Sequence, residues 1–265
     1  MTTAAQQSLI GSITRALSAD ARIESAWLSG SLGKGGGDEF SDVDVTVVVP
    51  VGTFDETLAA YAADLSAIAT VVFSQIVSGR VISCVTEDWE RFDLTFVKPR
   101  EFAAMPLSAI KPLFNRGTAE RVVAPPQPYK PSAQRILQLA NEFIRVLGLA
   151  PGGLGREEYL VAQWGIELLR RMTLDLMLER NGISPAARGG ALHMNTLLTP
   201  EQRRIMEALP PVGPTRVSLL EADRLLAAIF LPLAKQLADE TGAVWPLAFE
   251  QATRRHLAHA LGLHI

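Results

Sequence analysis

Apolar positions recur at helical spacing at the start of this chain, at strand spacing through its first third, and at helical spacing again to the end. Over residues 3–19, Leu9, Ile10, Ile13 and Leu17 fall on one helical face, which predicts an amphipathic helix. Residues 22–29 and 42–49 predict the first two strands. Pro50 and Gly52 break the second run, since proline has no N–H for a ladder and glycine permits a turn. A helix is expected over 54–68. Three more strands are expected over 70–77, 80–85 and 91–97, the first two joined by a tight turn at Ser78-Gly79. Pro125-Pro126-Gln127-Pro128 reads as an extended linker. Beyond it, helices are predicted over about 131–148, 155–181, 200–208, 216–240 and 245–261. Pro151-Gly152-Gly153 separates the first two, and Asn181-Gly182 ends the second.

The expected fold class is therefore α+β. A mixed β-sheet domain with helices on one face spans 1–128, and an all-helical domain spans 129–265. A length of 265 residues suits one large domain or two modest ones, and 48% apolar residues can bury sizeable cores. A cleft between two domains is a common place for a ligand.

The chemistry concentrates in one stretch. Trp27-Leu28-Ser29-Gly30-Ser31 is followed by a glycine-rich segment and then by Asp42-Val43-Asp44-Val45-Thr46. Alternate strand residues share a face. Asp42, Asp44 and Thr46 are thus expected to look into a cleft while Val43, Val45 and Val47 pack on helices. Two ionised carboxylates ~4 Å apart repel by roughly 4 kcal/mol at an effective dielectric of about 20. A cation removes that penalty, and Mg²⁺ suits hard oxygen ligands shared with phosphates. Gly30 and Ser31 offer backbone N–H groups and a hydroxyl to phosphate oxygens, and Lys34 adds a point charge. The strand over 91–97 divides the same way: Phe92, Leu94 and Phe96 on one face, Asp93 and Thr95 on the other. Neither a Gly-x4-Gly-Lys-Ser/Thr loop nor a dinucleotide glycine fingerprint is present.

Gly30-Ser31 followed by Asp42-x-Asp44 resembles the signature of the nucleotidyltransferase superfamily with the DNA polymerase β-type fold. Within it the chain looks most like the aminoglycoside and lincosamide adenylyltransferases. The segment Lys111-Pro112-Leu113-Phe114-Asn115-Arg116-Gly117 is similar to a turn near the end of their catalytic domain, with Asn115 and Gly117 where acids are usual. The helix from Arg156-Glu157-Glu158-Tyr159 onward resembles one of their second-domain helices. The resemblance implies ATP as donor, Mg²⁺ on Asp42 and Asp44, and Asp93 as third metal carboxylate or general base. It also implies a hydroxyl-bearing small molecule as acceptor. Acids of the helical domain supply the base or bind antibiotic amines in such enzymes; the candidates are Glu157, Glu158, Glu167 and Asp175, of which Glu158 is retained as catalytic.

Charge and cysteine content narrow the partners. A net charge of −3 and a pI near 5.9 offer no basic surface for nucleic acid. The single Cys84, within a strand-like run, suits a reducing cytosol and excludes an internal disulfide. No leader pattern or ~18-residue apolar run is present, so a cytoplasmic protein without membrane contact is expected. His193, His256, His259 and His264 lack metal-ligand spacing. Trp164 is expected in the helical core, and Arg188 either joins helices or reaches a phosphate. Two alternatives stand beside the small-molecule transferase: a nucleotidyltransferase acting on RNA or protein, and a non-catalytic nucleotide-binding regulator.

Overall fold

The computed structural model describes residues 2–105, 109–117, 128–188 and 194–265. Three residues of the proline linker, 125–127, and His193 lie outside them. The fold is α+β, and the chain divides into two compact units between residues 126 and 127.

In the first unit, α1 (Ala4–Ala19) is opened by a Thr3 capping box with Gln6. Then follow β1 (Ser25–Leu28), the short helix α2 (Gly30–Lys34), β2 (Val43–Val48) and α3 (Phe54–Ala63). The next elements are β3 (Val71–Val77), β4 (Val81–Thr86), β5 (Arg91–Val97), α4 (Pro99–Ala103) and β6 (Lys111–Asn115). The strands form one six-stranded sheet in the order β3-β4-β5-β2-β1-β6. Only β2 and β5 run parallel; the other pairs are antiparallel.

One face of this sheet holds the core. Val43, Val45, Val47, Phe92, Leu94 and Phe96 are fully buried with Leu9, Ile13 and Leu17 of α1 and Phe54 and Leu58 of α3. Each such side chain contributes roughly 1.5–3 kcal/mol relative to an exposed one. The opposite face is covered at one end, where Val48, Val97, Phe102 and Ile110 cluster with Trp27. The Trp27 and Phe102 rings are 5.1 Å apart.

Several expectations change. Residues 111–115 form an edge strand on β1 rather than a turn, and Pro112 is tolerated there because an edge need not donate on both sides. The helix over 54–68 ends at Ala63. The Ser78-Gly79 turn is as expected, with both φ angles positive at 52° and 67°. The outer strand β3 exposes Val72, Phe73, Ile76 and Val77.

The second unit contains α5 (Ala133–Gly148), α6 (Ala150–Gly155), α7 (Tyr159–Arg180), α8 (Met194–Leu197), α9 (Pro200–Glu207), α10 (Arg216–Thr241) and α11 (Leu247–Leu261). Its core gathers Ile136, Phe143, Leu147, Leu176, Phe230 and Leu257, with Phe143 stacked on Phe230 at 3.8 Å. Pro151-Gly152-Gly153 separates α5 from α7 as expected, but within a short helix of its own, α6. Proline is acceptable in a first helical turn, and burial of Leu154 holds the short helix. Among the described residues, no helix is long and apolar enough to cross a membrane.

Candidate active site

Register does for the acids what spacing alone could not. β2 and β5 pair with Asp44 opposite Asp93, and β4 and β5 pair with Ser83 opposite Asp93. Paired residues in adjacent strands point to the same face, and strands lie about 4.8 Å apart. Ser83, Asp93 and Asp44 therefore form one row across the sheet. Asp42 stands on the same face two residues before Asp44. All three acids are half-buried.

The row is closed off by the Gly30 turn. The Ser29 N–H donates to the Asp44 carbonyl at 2.8 Å, so β1 hands over to α2 directly above Asp44. Gly30 has φ +58°, and a Cβ built there would lie 1.7 Å from Asp44 Oδ2. Only glycine fits: the conformation is left-handed, and the Asp44 carboxylate occupies the side-chain space. At Gly33 the obstacle is backbone, with the Leu28 carbonyl oxygen 2.5 Å from a built Cβ. The glycine-rich segment thus begins as a helix. The first turn of a helix leaves its N–H groups without intrahelical acceptors; here they belong to Gly30, Ser31 and Leu32. Ser31 is half-buried, and Lys34 is exposed at the end of α2.

The segment leading into Asp42 is held by a residue that sequence reasoning passed over. Gln6 is 1% exposed, and its Nε2 donates to the carbonyls of Asp38 at 3.0 Å and Ser41 at 2.7 Å. A glutamine among the apolar positions of a helix was the available signal. Two further groups were missed. Ser83 hydrogen-bonds Asp93, and Arg91 is close enough to lower the pKa of both Asp93 and Asp44. Arg91 also donates to the Phe40 carbonyl at 2.9 Å. Both lie at period-two positions: Ser83 on β4, and Arg91 two residues before Asp93.

The electrostatics follow from this crowding. Burial, then the charges of Asp42 and Asp93, push the Asp44 carboxyl up to about 6, with Lys34 and Arg91 opposing. Asp93 is also raised, first by burial and then by Asp42, while the Ser83 hydrogen bond and Arg91 pull it back. Thr46, expected in the cleft, is 1% exposed, so the open part of this face ends at Asp44.

The donors suit a divalent cation by type: hard carboxylate oxygens whose ionised forms are mutually unfavourable. Among the described residues, no three His, Cys, Asp or Glu side chains already stand together as a metal cage. Mg²⁺ needs no such cage, because it is commonly held by one or two carboxylates with water and substrate phosphates completing the shell.

Glu158 is the exposed N-cap residue of α7, and Glu157 and Glu167 are exposed as well. Asp175 is ion-paired with Arg188 at 2.7 Å, and Arg188 also meets the fully buried Glu179 at 2.6 Å. That engagement removes Arg188 as a free phosphate ligand. Trp164 is 70% exposed, not core. His256 and His259 are surface residues, and Cys84 is buried on its strand.

No protein-family model matches the chain, and no curated protein matches it. Among solved structures, the chain is similar to an aminoglycoside 6-adenyltransferase from Bacillus subtilis, with 18% identity over 94% of this chain and 95% of that one and a TM-score of 0.43. It is also similar to a nucleotidyltransferase-like protein from Exiguobacterium sibiricum, with 11% identity over 96% of this chain and 87% of that one and a TM-score of 0.32.

Proposed function

We propose that the protein is a metal-dependent nucleotidyltransferase that moves AMP from ATP to a hydroxyl of a small molecule and releases pyrophosphate. The observation that carries this reading is the Asp44–Asp93 row packed against the left-handed Gly30 turn. Asp42 and Asp44 would hold Mg²⁺, with Asp93 as a further carboxylate. The cation would supply charge neutralisation at the α-phosphate and at the departing pyrophosphate. The N–H groups of Gly30 and Ser31 and the Ser31 hydroxyl would orient the outer phosphates, with Lys34 adding positive charge. Where it does not complete the metal site, Asp93 would accept the proton of the attacking hydroxyl, and burial, which raises its pKa, supports that role. Glu158 is assigned to the acceptor. An aminoglycoside or lincosamide acceptor rests on the sequence resemblance described above.

The test is pyrophosphate release from ATP and Mg²⁺ across a panel of aminoglycosides, lincosamides and tRNA. We expect turnover with a small-molecule acceptor and a loss of about 10³-fold or more in Asp44→Asn, which keeps the fold but removes a metal carboxylate. Undiminished turnover in Asp44→Asn sinks the mechanism. Turnover with tRNA alone sinks the acceptor class.

A further inference from the structure

The helical unit contains a cavity of about 450 Å³ between α5, α6, α7 and the start of α10. None of Asp42, Asp44 and Asp93 lines it. Its size lies within the usual range for small-molecule pockets. Its walls are mostly apolar and include Leu149, between α5 and α6, and Val161, Trp164 and Leu168 of α7, each more than half exposed. Large apolar side chains left open around a concave space mark a surface that an apolar body can cover.

One wall residue does not fit an apolar pocket. Asp223 sits on α10 at a core position, in line with Leu219, Ala222, Leu226 and Ala227, which are all buried. It is 3% exposed. Among the described residues it has neither a hydrogen bond nor an ion pair, and burial is the sole influence on its carboxyl, pushing it up to about 7. Its neighbour Arg224 is turned away and paired with Glu221 at 2.7 Å. The other charged groups lining the cavity do not serve it. Arg145 is held by Glu142 through bonds of 2.8 and 2.7 Å, Arg156 reaches the Gly152 carbonyl at 3.5 Å, and Glu158 is exposed.

An unpartnered carboxylate in an apolar wall is costly as an anion, and a matched cation recovers that cost. We propose that this cavity binds a small molecule with an apolar body and a single protonated amine, its ammonium on Asp223 and its body against Trp164 and Leu168. An anionic ligand would face Asp223 directly, and a neutral one would leave it unpaired. Of the residues given a part in nucleotidyl transfer, Glu158 alone lines this cavity, and the ammonium contact with Asp223 does not require that transfer.

The test is calorimetric titration of the full chain, without nucleotide, using naphthylmethylamine, naphthylmethanol and naphthoate at pH 8. The amine should bind about tenfold or more tightly than the alcohol, the usual scale for a hydrogen bond to a charged group. At pH 6, amine binding should release a proton, seen as a dependence of the heat on buffer ionisation, and alcohol binding should not. Asp223→Asn should erase the amine's preference. Gly165→Leu is the control for folding. Gly165 lines the cavity, a Cβ there meets nothing within 4 Å, and a helix-interior glycine is a poor helix former. That variant should fold at least as stably and lose the amine. Equal affinity for amine and alcohol, tighter binding of naphthoate, an unchanged preference in Asp223→Asn, or no amine binding at millimolar concentration would each overturn the proposal.

Discussion

Asp44 in the sheet and Asp223 in the helical bundle both have raised pKa values, to about 6 and about 7, but their surroundings differ. Asp44 shares its face with two other carboxylates and has Lys34 and Arg91 within electrostatic reach. Asp223 has apolar neighbours and no charged partner among the described residues. Several like charges around one opening suit a multiply charged cation. A lone charge in an apolar wall calls for one positive group on an apolar molecule. Glu250 shows what a completed site looks like in the same fold. It is 3% exposed, yet its pKa is lowered: burial raises it, but hydrogen bonds from Lys235, Trp245 and Arg254 outweigh that. The contrast separates buried acids that already have partners from those that await one.

The largest effect is expected at Gly30. Gly30→Ala forces a methyl group into the Asp44 carboxylate and a non-glycine residue into φ +58°. We expect a loss of about 2–3 kcal/mol in denaturant unfolding together with loss of pyrophosphate release. A variant of unchanged stability would mean that the turn does not grip Asp44.

Asp223→Asn should act in the opposite direction, and its effect depends on pH. The folded pKa of Asp223 is raised, so the native state holds its proton more tightly than the unfolded chain does. Its contribution is fully present below about pH 4 and is lost as pH rises through about 7. At pH 8 the ionised wild type bears the cost, and Asp223→Asn should be more stable by roughly 2 kcal/mol, below the ~4 kcal/mol that the full shift implies because the amide is itself buried. At pH 4 the two should match. Chemical denaturation at both pH values reads the crossover.

Glu250→Gln should give the smallest effect and the reverse sign. Glu250 has a depressed pKa, so its contribution is present above about pH 4.5 and disappears on acidification. Lys235 and Arg254 are 43% and 36% exposed and regain water, so the loss at pH 8 should be only about 1 kcal/mol. A gain in stability would erase the distinction between partnered and unpartnered acids.

Much of this was legible from periodicity. Alternation marks β2 and β5 and the face each acid takes, and apolar spacing marks the long helices. Pairing is not in the alternation: nothing in residues 42–49 and 91–97 says that they run side by side in parallel with Asp44 opposite Asp93. The edge strand β6 was hidden by Pro112, whose penalty depends on a position within the sheet. The short helix α2 was hidden by glycines selected for close approach to Asp44 and Leu28, not for helix propensity. Gln6 and Asp223 carried a readable signal, a polar residue in an apolar helical frame, far in sequence from the glycine turn and its acids. Trp164 went the other way, since a large aromatic residue on a long helix is expected inside and here lies open.

The parallel pairing of β2 with β5 also has a consequence for synthesis of the chain. Asp42, Asp44 and the Gly30 turn emerge early, but their row is incomplete until the β3–β4 hairpin has formed and returned β5 alongside β2. Such non-local pairings carry a loop-closure cost before any contact repays it. A nascent chain or proteolytic fragment that stops short of residue 91 lacks the central strand as well as Asp93. It therefore leaves one hydrogen-bonding edge of β2 unpaired, and the row of acids comes into being only together with the middle of the sheet.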